Sequence, residues 1–487
     1  MGEYTHSLNS RFEIGRFRPF SLLIIAVTIS AISAIFGNVA LPFILPSIVT
    51  VFLWKYFGED RKIRNIILIA LWIKIIVSTI YYFYLSTKTF PYSQPVKAIL
   101  FGGDGEMYSA HAWFVAILNT GKDMLKNNFV GTGGFYSDAS IYQQLFLIDK
   151  FIPMDTYQVG FFTYLIAIIY SVFDYSPLLI NFINCVLGVF SAVLIYKTTL
   201  LFFSKTAAKA SLLLTLFFPT LFIWSSLTKL RDPLYAFMTI LFLYLCVKII
   251  LQKKILKLLY LLPVMFFLEM LRKGSFYICL PIFILSLIFA IRIKLKLKFS
   301  LFVFSLFAIG ISGIGHLLIG VAQRRIDSLI SIHHGMVNSG GVAYRLLEDV
   351  YYTKPFRPAD LGFLDHVVFY VKGMLHFWLE PFPNHWFLSK SLLIVFPQQI
   401  LWYALLLFLF FGVIFSLRAM NPGIFILLAH ILIMSSAMAL SEANIGTMIR
   451  HRDMLIPICF VFSSSGLVNI LGCNGLYASK KQGILQQ

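Results

Sequence analysis

Thirteen apolar stretches, most of them long enough to cross a bilayer as a helix, divide this chain. They run at about 20–37, 39–57, 66–86, 159–174, 177–203, 210–227, 233–251, 258–271, 274–291, 299–320, 391–417, 423–440 and 453–472. About 20 apolar residues in a helix match the ~30 Å hydrocarbon layer. The chain is 59% hydrophobic and 13% charged, with a mean hydropathy of +0.83. A soluble domain of 487 residues does not have that composition. The expected fold is an all-α polytopic membrane protein of roughly 11–13 transmembrane helices. No fixed-period repeat, low-complexity segment or linker divides it, so 1–487 reads as one transmembrane domain. Two long loops, 87–158 and 321–390, interrupt the apolar pattern.

The net charge of +19 is a topology signal rather than a nucleic-acid footprint. Its basic residues cluster in short runs between apolar segments: Arg61-Lys62-Ile63-Arg64, Lys253-Lys254 with Lys257, and Arg292, Lys294, Lys296 and Lys298. Such runs face the cytoplasm and its anionic lipids. The polar N-terminal stretch with Arg11, Arg16 and Arg18 carries no small-residue cleavage site and reads as an uncleaved cytoplasmic tail. Counting spans from there puts both long loops outside. One step does not close: Lys205 and Lys209 prefer the inside, so either one of the segments 159–174 and 177–203 is broken or re-entrant, or an interfacial helix within 120–158 dips into the membrane. The five cysteines lie in or beside apolar segments, with no disulfide or metal spacing.

Acidic residues are scarce, 21 in all, yet Asp104 and Glu106 stand one residue apart in the first loop. Gly102, Gly103 and Gly105 around them allow a tight turn and a close backbone approach to a ligand. From Glu106 the pattern reads as a helix start that carries Tyr108 and His111 as candidate substrate contacts. Paired carboxylates at the mouth of a membrane cavity suit a general base or a divalent-cation site. A Gly-Asp turn leading into an interfacial helix is the alternative.

Three further polar groups fall at the same outer side in this layout: Lys229, Arg231 and Asp232; Arg272 and Lys273; and the tract from Asn444 through Arg450, His451 and Arg452. Cations at extracytoplasmic helix ends run against the topological bias and need a reason of their own. Arginine grips phosphate oxygens in pairs and lysine adds a point charge, so a phosphate fits. Pairing among neighbours, as in Arg231 with Asp232, is the other explanation. In the second loop, His333-His334 lacks helical metal-ligand spacing, so no metal site is expected there. The aromatic, proline-rich run Trp378 to Trp386 reads as an interfacial turn, or a stacking surface for sugar rings.

The whole pattern resembles the GT-C type membrane glycosyltransferases that use polyprenyl-phosphate-linked sugars. Bacterial relatives of the protein mannosyltransferases and of the lipid A aminoarabinose transferase are the nearest in kind. The matching residues are Asp104-Gly-Glu106-Met-Tyr108-Ser-Ala110, Pro219 leading to Ser225 through Pro233, and Asn444-Ile-Gly446-Thr447 through Arg452. The resemblance implies a donor entering from the membrane, Asp104 as base on an acceptor hydroxyl, and inversion at the anomeric carbon. Arg231, Arg272, Arg450 or Arg452 would stabilise the leaving phosphate, while Glu106 would position the acceptor or hold a divalent cation. The implied partners are the bilayer, a polyprenyl-phosphate-linked sugar and a glycan acceptor, at the outer face of a bacterial inner membrane. A polymerase of lipid-linked repeat units is the rival reading. A transporter, the third, predicts charges inside spans rather than at their ends.

Overall fold

The structure is a computed structural model. It describes residues 41–57, 60–87, 160–173, 176–295, 313–338, 343–348, 350–353, 361–386 and 390–472, with isolated positions at 108, 109, 112, 116 and 358. The described elements are helices, and the single β contact among them is one antiparallel bridge, Ala343 to Asn444. The chain groups into two compact units that divide within one helix, between Val186 and Leu187.

The first unit holds α1 (Leu41–Tyr56), α2 (Arg61–Thr87), most of α3 (Phe161–Phe173) and the start of α4 (Pro177–Leu200). Trp72 Nε1 on α2 donates to Thr50 Oγ1 on α1 at 3.1 Å, and the Arg64 guanidinium lies 3.9 Å above the Trp54 ring. Residues 108, 109, 112 and 116 are helical, as the expected helix after Glu106 requires. Ser109 Oγ meets the Tyr170 hydroxyl of α3 at 2.6 Å. With 13 residues, α3 is about 20 Å long, short of the hydrocarbon thickness.

The second unit contains the rest of α4 and α5 (Lys205–Phe217), α6 (Pro219–Leu227), α7 (Asp232–Leu251), α8 (Leu262–Leu271), α9 (Ser275–Leu295) and α10 (Gly313–Asn338). The single turn α11 (Val350–Thr353) leads to α12 (Phe363–Leu379), α13 (Lys390–Leu417), α14 (Pro422–Ser441), α15 (Ile445–Asp453) and α16 (Ile456–Ile470). Six helices among the described residues are long and apolar enough to cross a membrane: α2, α4, α7, α9, α13 and α14. Two bent pairs, α5 with α6 at 51° and α15 with α16 at 64°, raise the number to eight. The multi-pass all-helical class is thus present, and the described residues supply six to eight of the expected 11–13 spans. The stretch 20–37 and much of 299–320 lie outside the described residues.

Several expected elements take a different form. The apolar run 210–227 is not one span, because Pro219 lacks an N–H and forces Phe218 out of helical geometry, to φ −61° and ψ 125°. The run 258–271 is a 3-10 turn (Ile255–Leu261) followed by the 10-residue α8, with Pro263 near its start. Most of the second loop is helical: α10 continues 18 residues past the expected boundary at 320, and α12 is an amphipathic helix. Phe369, Gly373 and Phe377, at four-residue spacing, form its buried stripe. Their spacing was hidden in sequence by His366, Lys372 and His376 on the same segment.

At the centre of this unit is α14, against which α7, α9, α10 and α12 all pack. Glycines set the closest approaches. A side chain at Gly373 would strike the Ala439 carbonyl of α14. Likewise a Cβ at Gly412 would overlap the Phe462 carbonyl, and one at Gly466 the Phe408 carbonyl, so α13 and α16 cross backbone against backbone. In such a contact dispersion and weak polar bonds replace the hydrophobic effect, which lipid does not supply between helices. Ser463 Oγ adds a bond to Leu405 O at 3.1 Å.

Candidate functional site

The helix directions in the second unit bring the start of α7, the end of α8, the start of α9, the end of α14 and all of α15 to one end. Three contacts prove the meeting. The Arg231 Nη1 donates to Leu271 O at 3.3 Å, the Arg450 Nε pairs with Asp232 Oδ2 at 3.1 Å, and the Arg272 Nη2 reaches His451 Nε2 at 2.5 Å. Three of the four polar groups expected on one side meet here, and the fourth, Asp104 with Glu106, lies outside the described residues. At the opposite end Gly423 abuts the Phe202 ring and Val247, and Phe289 and Phe425 pair at 6.2 Å. Lys253, Lys254 and Lys257 after α7, and Arg292 near the end of α9, belong to that end.

Local sequence explains how the tract 440–453 builds this corner. Asn444 Oδ1 accepts from Thr447 N at 3.1 Å and caps α15, so the helix restarts at a new angle just after α14 stops at Glu442. Tyr344 N donates to Ala443 O at 2.9 Å and anchors the break from outside. Nine residues of α15 then deliver Arg450, His451, Arg452 and Asp453 inward.

These four side chains have different surroundings. His451 Nδ1 lies 2.5 Å from Glu442 Oε1, and Arg272 Nη2 approaches both ring nitrogens, Nε2 at 2.5 Å and Nδ1 at 3.2 Å. A carboxylate only accepts, so Nδ1 carries the hydrogen bonded to Glu442 and Nε2, the nitrogen nearer Arg272, keeps the lone pair. Burial pushes the Glu442 carboxyl up. The hydrogen bond from His451 and the fields of Arg272 and Arg450 outweigh burial and hold it below the usual carboxylate range. Its Oε2 is buried without a hydrogen-bond partner among the described residues. Arg450 remains partly exposed beside Asp232.

Arg452 is fully buried and turned the other way. Its Nη1 donates to Glu380 O at 2.6 Å, with Trp378 O at 3.3 Å and Phe377 O at 3.4 Å, and Nη2 donates to Gln399 Oε1 at 3.0 Å. The guanidinium therefore caps the carbonyl end of α12, where the helix dipole also favours a cation. The Trp402 ring lies beneath it at 5.4 Å. Asp453 Oδ2 accepts from Trp224 Nε1 at 2.7 Å and ties α15 to α6. Lys229 is buried at the end of α6, and Lys273 follows Arg272 at the turn before α9, whose first amides are capped by Glu269 at 2.7 Å from Phe276 N. Tyr108 is half-buried in the first unit, whereas Asp104, Glu106 and His111 lie outside the described residues.

Residues that the sequence left aside complete the corner. Glu442 O accepts from the Tyr344 hydroxyl at 2.7 Å and from His333 Nδ1 at 2.6 Å, so His333 is a neutral donor whose Nε2 is left as a buried lone pair. Burial lowers the His333 pKa to about 4. Tyr344 stacks on His376 at 4.2 Å, and Glu380 joins His376 and His385, both at 2.9 Å. Burial opposes the charge on Glu380, but the two histidines and the Phe382 N–H hold its carboxyl below the ordinary value. Among the described residues no group of three His, Cys, Asp or Glu is placed to hold a metal ion. The signal for Glu442 and Glu380 was the same acidic scarcity that singled out Asp104 and Glu106. Each is a carboxylate at the end of an apolar helix.

Comparison with protein-family models, curated proteins and solved structures finds no match for this chain.

Proposed function

We propose that this chain is an inverting glycosyltransferase of the bacterial inner membrane. It would take a sugar from a polyprenyl-phosphate donor and place it on a lipid-linked or surface glycan acceptor at the extracytoplasmic face. The supporting observation is the meeting of Arg231, Arg272 and Arg450 at one end of the helices, away from the basic runs that favour the cytoplasm. Arg450 has Asp232, while the hydrogen-bond partners of Arg272 are the His451 ring and the Met454 thioether, and Glu442 is hydrogen-bonded to that same ring. Phosphate is the ligand that a guanidinium so placed fits, and charge building on a leaving phosphate would be stabilised there. The roles of Asp104 and Glu106 in this reading come from the resemblance of their motif.

The test compares surface glycans by mass spectrometry from the host lacking this chain and the host complemented with wild type, Asp104→Asn or Arg272→Gln. Loss of one sugar per repeat in the deletion strain and both variants, at unchanged chain length, is the expected result. Single repeats left on the lipid carrier would make the chain a polymerase instead. A deletion strain with an unaltered glycan overturns both.

A further inference from the structure

The transfer proposed above requires a place for one proton, because the attacking hydroxyl must lose its hydrogen as it bonds to the anomeric carbon. We infer that His451, in place of Asp104 to which the resemblance gave the role of base, takes this proton, and that Arg272 covers its accepting nitrogen until a donor phosphate draws the guanidinium away. The inference rests on the transferase reading.

The geometry is that of an oriented imidazole. Glu442 Oε1 at 2.5 Å fixes Nδ1 as the protonated nitrogen, which leaves Nε2 with the lone pair that a base requires. Glu442 is itself anchored, since its carbonyl is held by both Tyr344 and His333. The group that blocks Nε2 is the one whose other bonds are weak. Among the described residues Arg272 Nη1 donates only to the Met454 thioether, at 3.3 Å, and the Tyr235 ring is 5.9 Å from its carbon. Arg272 also stands outside regular helix, at φ −148° and ψ 110° after α8, two residues before Gly274 at φ +93°. Phosphate oxygens attract a guanidinium more strongly than a neutral ring nitrogen does. A donor seated at Arg272 would expose Nε2 at the moment when it is needed.

The step balances. The acceptor O–H breaks and its proton passes to Nε2, the oxygen pair forms the new bond to the anomeric carbon, and the bond from that carbon to the phosphate oxygen breaks. The electron pair leaves with the phosphate beside Arg272, and the imidazolium formed is paired with Glu442. The charged and titratable groups around this imidazole are Glu442 at the end of α14, Arg272 at the end of α8 and Arg450 on its own helix. Behind them stand Asp232 on Arg450, and His333 and Tyr344 on Glu442.

Membranes from the deletion host, carrying the full-length wild type, His451→Asn, Glu442→Gln or Asp104→Asn and supplied with the host's own lipid-linked donor, decide the matter. Sugar addition is followed by mass spectrometry between about pH 5 and 9, where an imidazole titrates. Asn retains an N–H for Glu442 but has no basic nitrogen. The expected result is a rate about 100- to 10,000-fold lower in His451→Asn at an unchanged membrane level, with the acid limb of the pH profile gone. Glu442→Gln should move that limb to lower pH, because the imidazolium loses its counter-charge. A His451→Asn rate that is reduced equally at every pH, or equals wild type, overturns the inference, and an Asp104→Asn profile lacking the limb instead assigns the proton to Asp104. Membranes of the deletion host that still add the sugar would overturn the transferase reading itself.

Discussion

Replacing Arg452 distinguishes a structural arginine from a phosphate ligand, and its cost can be worked from its bonds. Arg452→Gln removes the two short charged bonds, to Glu380 O at 2.6 Å and Gln399 Oε1 at 3.0 Å. The carbonyls of Phe377 and Trp378 lose their longer contacts as well. These acceptors lie in a region where Arg452 itself is 0% exposed, so water does not replace the lost donors. Hydrogen bonds from a charged group contribute about 1.5–3 kcal/mol each, so two of them give a loss of about 3–6 kcal/mol. The range agrees with the ~3–5 kcal/mol typical of removing one partner from a buried ionic contact. Arg452→Lys, with one point charge in place of a planar fork, should recover only part of this. The assay is the thermal midpoint of the detergent-solubilised protein, read as loss of the monodisperse peak in size-exclusion chromatography. A clearly lowered midpoint in Arg452→Gln and an intermediate one in Arg452→Lys are expected. A midpoint equal to wild type, together with lost glycan transfer, would refute the helix-cap argument and return Arg452 to the phosphate site.

Two other predictions follow from packing and burial. Gly466→Ala inserts a methyl against the Phe408 carbonyl and must separate α13 from α16, costing about 1–3 kcal/mol and lowering the same midpoint, while Gly335→Ala tests the scale of a change with open space around it. The His333 pKa lies near 4 in the fold against an ordinary 6.5, so the unfolded chain binds the extra proton between those values. Stability from this group is therefore complete above about pH 6.5 and falls by about 3 kcal/mol as pH drops to 4. His333→Gln should flatten that part of a stability-versus-pH curve; an unchanged slope would show that His333 is not the group responsible.

Hydropathy carried most of the fold in the sequence because lipid imposes a simple length rule. The runs 177–203, 233–251, 274–291, 391–417 and 423–440 became helices within a few residues of their expected limits. The rule failed where a proline or a polar stripe intervened. Pro219 broke a run of adequate length, and α12 has the buried stripe Phe369, Gly373, Phe377 but too many polar neighbours to register as a span. The corner residues were legible as a group, because cations at the wrong end of a helix are conspicuous. Their separate roles were not. Nothing in the spacing Arg450, His451, Arg452 states that successive residues of a helix point about 100° apart, one to Asp232, one to Glu442 and one to the end of α12. Tyr344, His333 and Glu380 reach the corner from over 60 residues away in sequence, and only the folded second loop brings them there.

The arginines at this end of the helices therefore divide by what their donors face. Those of Arg452 end on backbone carbonyls and an amide oxygen, neutral acceptors that cannot leave, so its charge is fixed in the architecture. Arg450 meets a carboxylate at the edge of the corner and remains partly exposed. Arg272 alone of the three spends its bonds on a neutral ring nitrogen and a thioether, the weakest acceptors in the set. A guanidinium held by weak acceptors exchanges them readily for an anion, and one held by carbonyl caps does not. The order in which these residues should respond to an added phosphate ligand is thus Arg272 first, Arg450 next and Arg452 not at all. Protection of arginine-directed modification by a polyprenyl phosphate, mapped by peptide mass spectrometry, should reproduce that order, and protection confined to Arg452 would reverse the assignment.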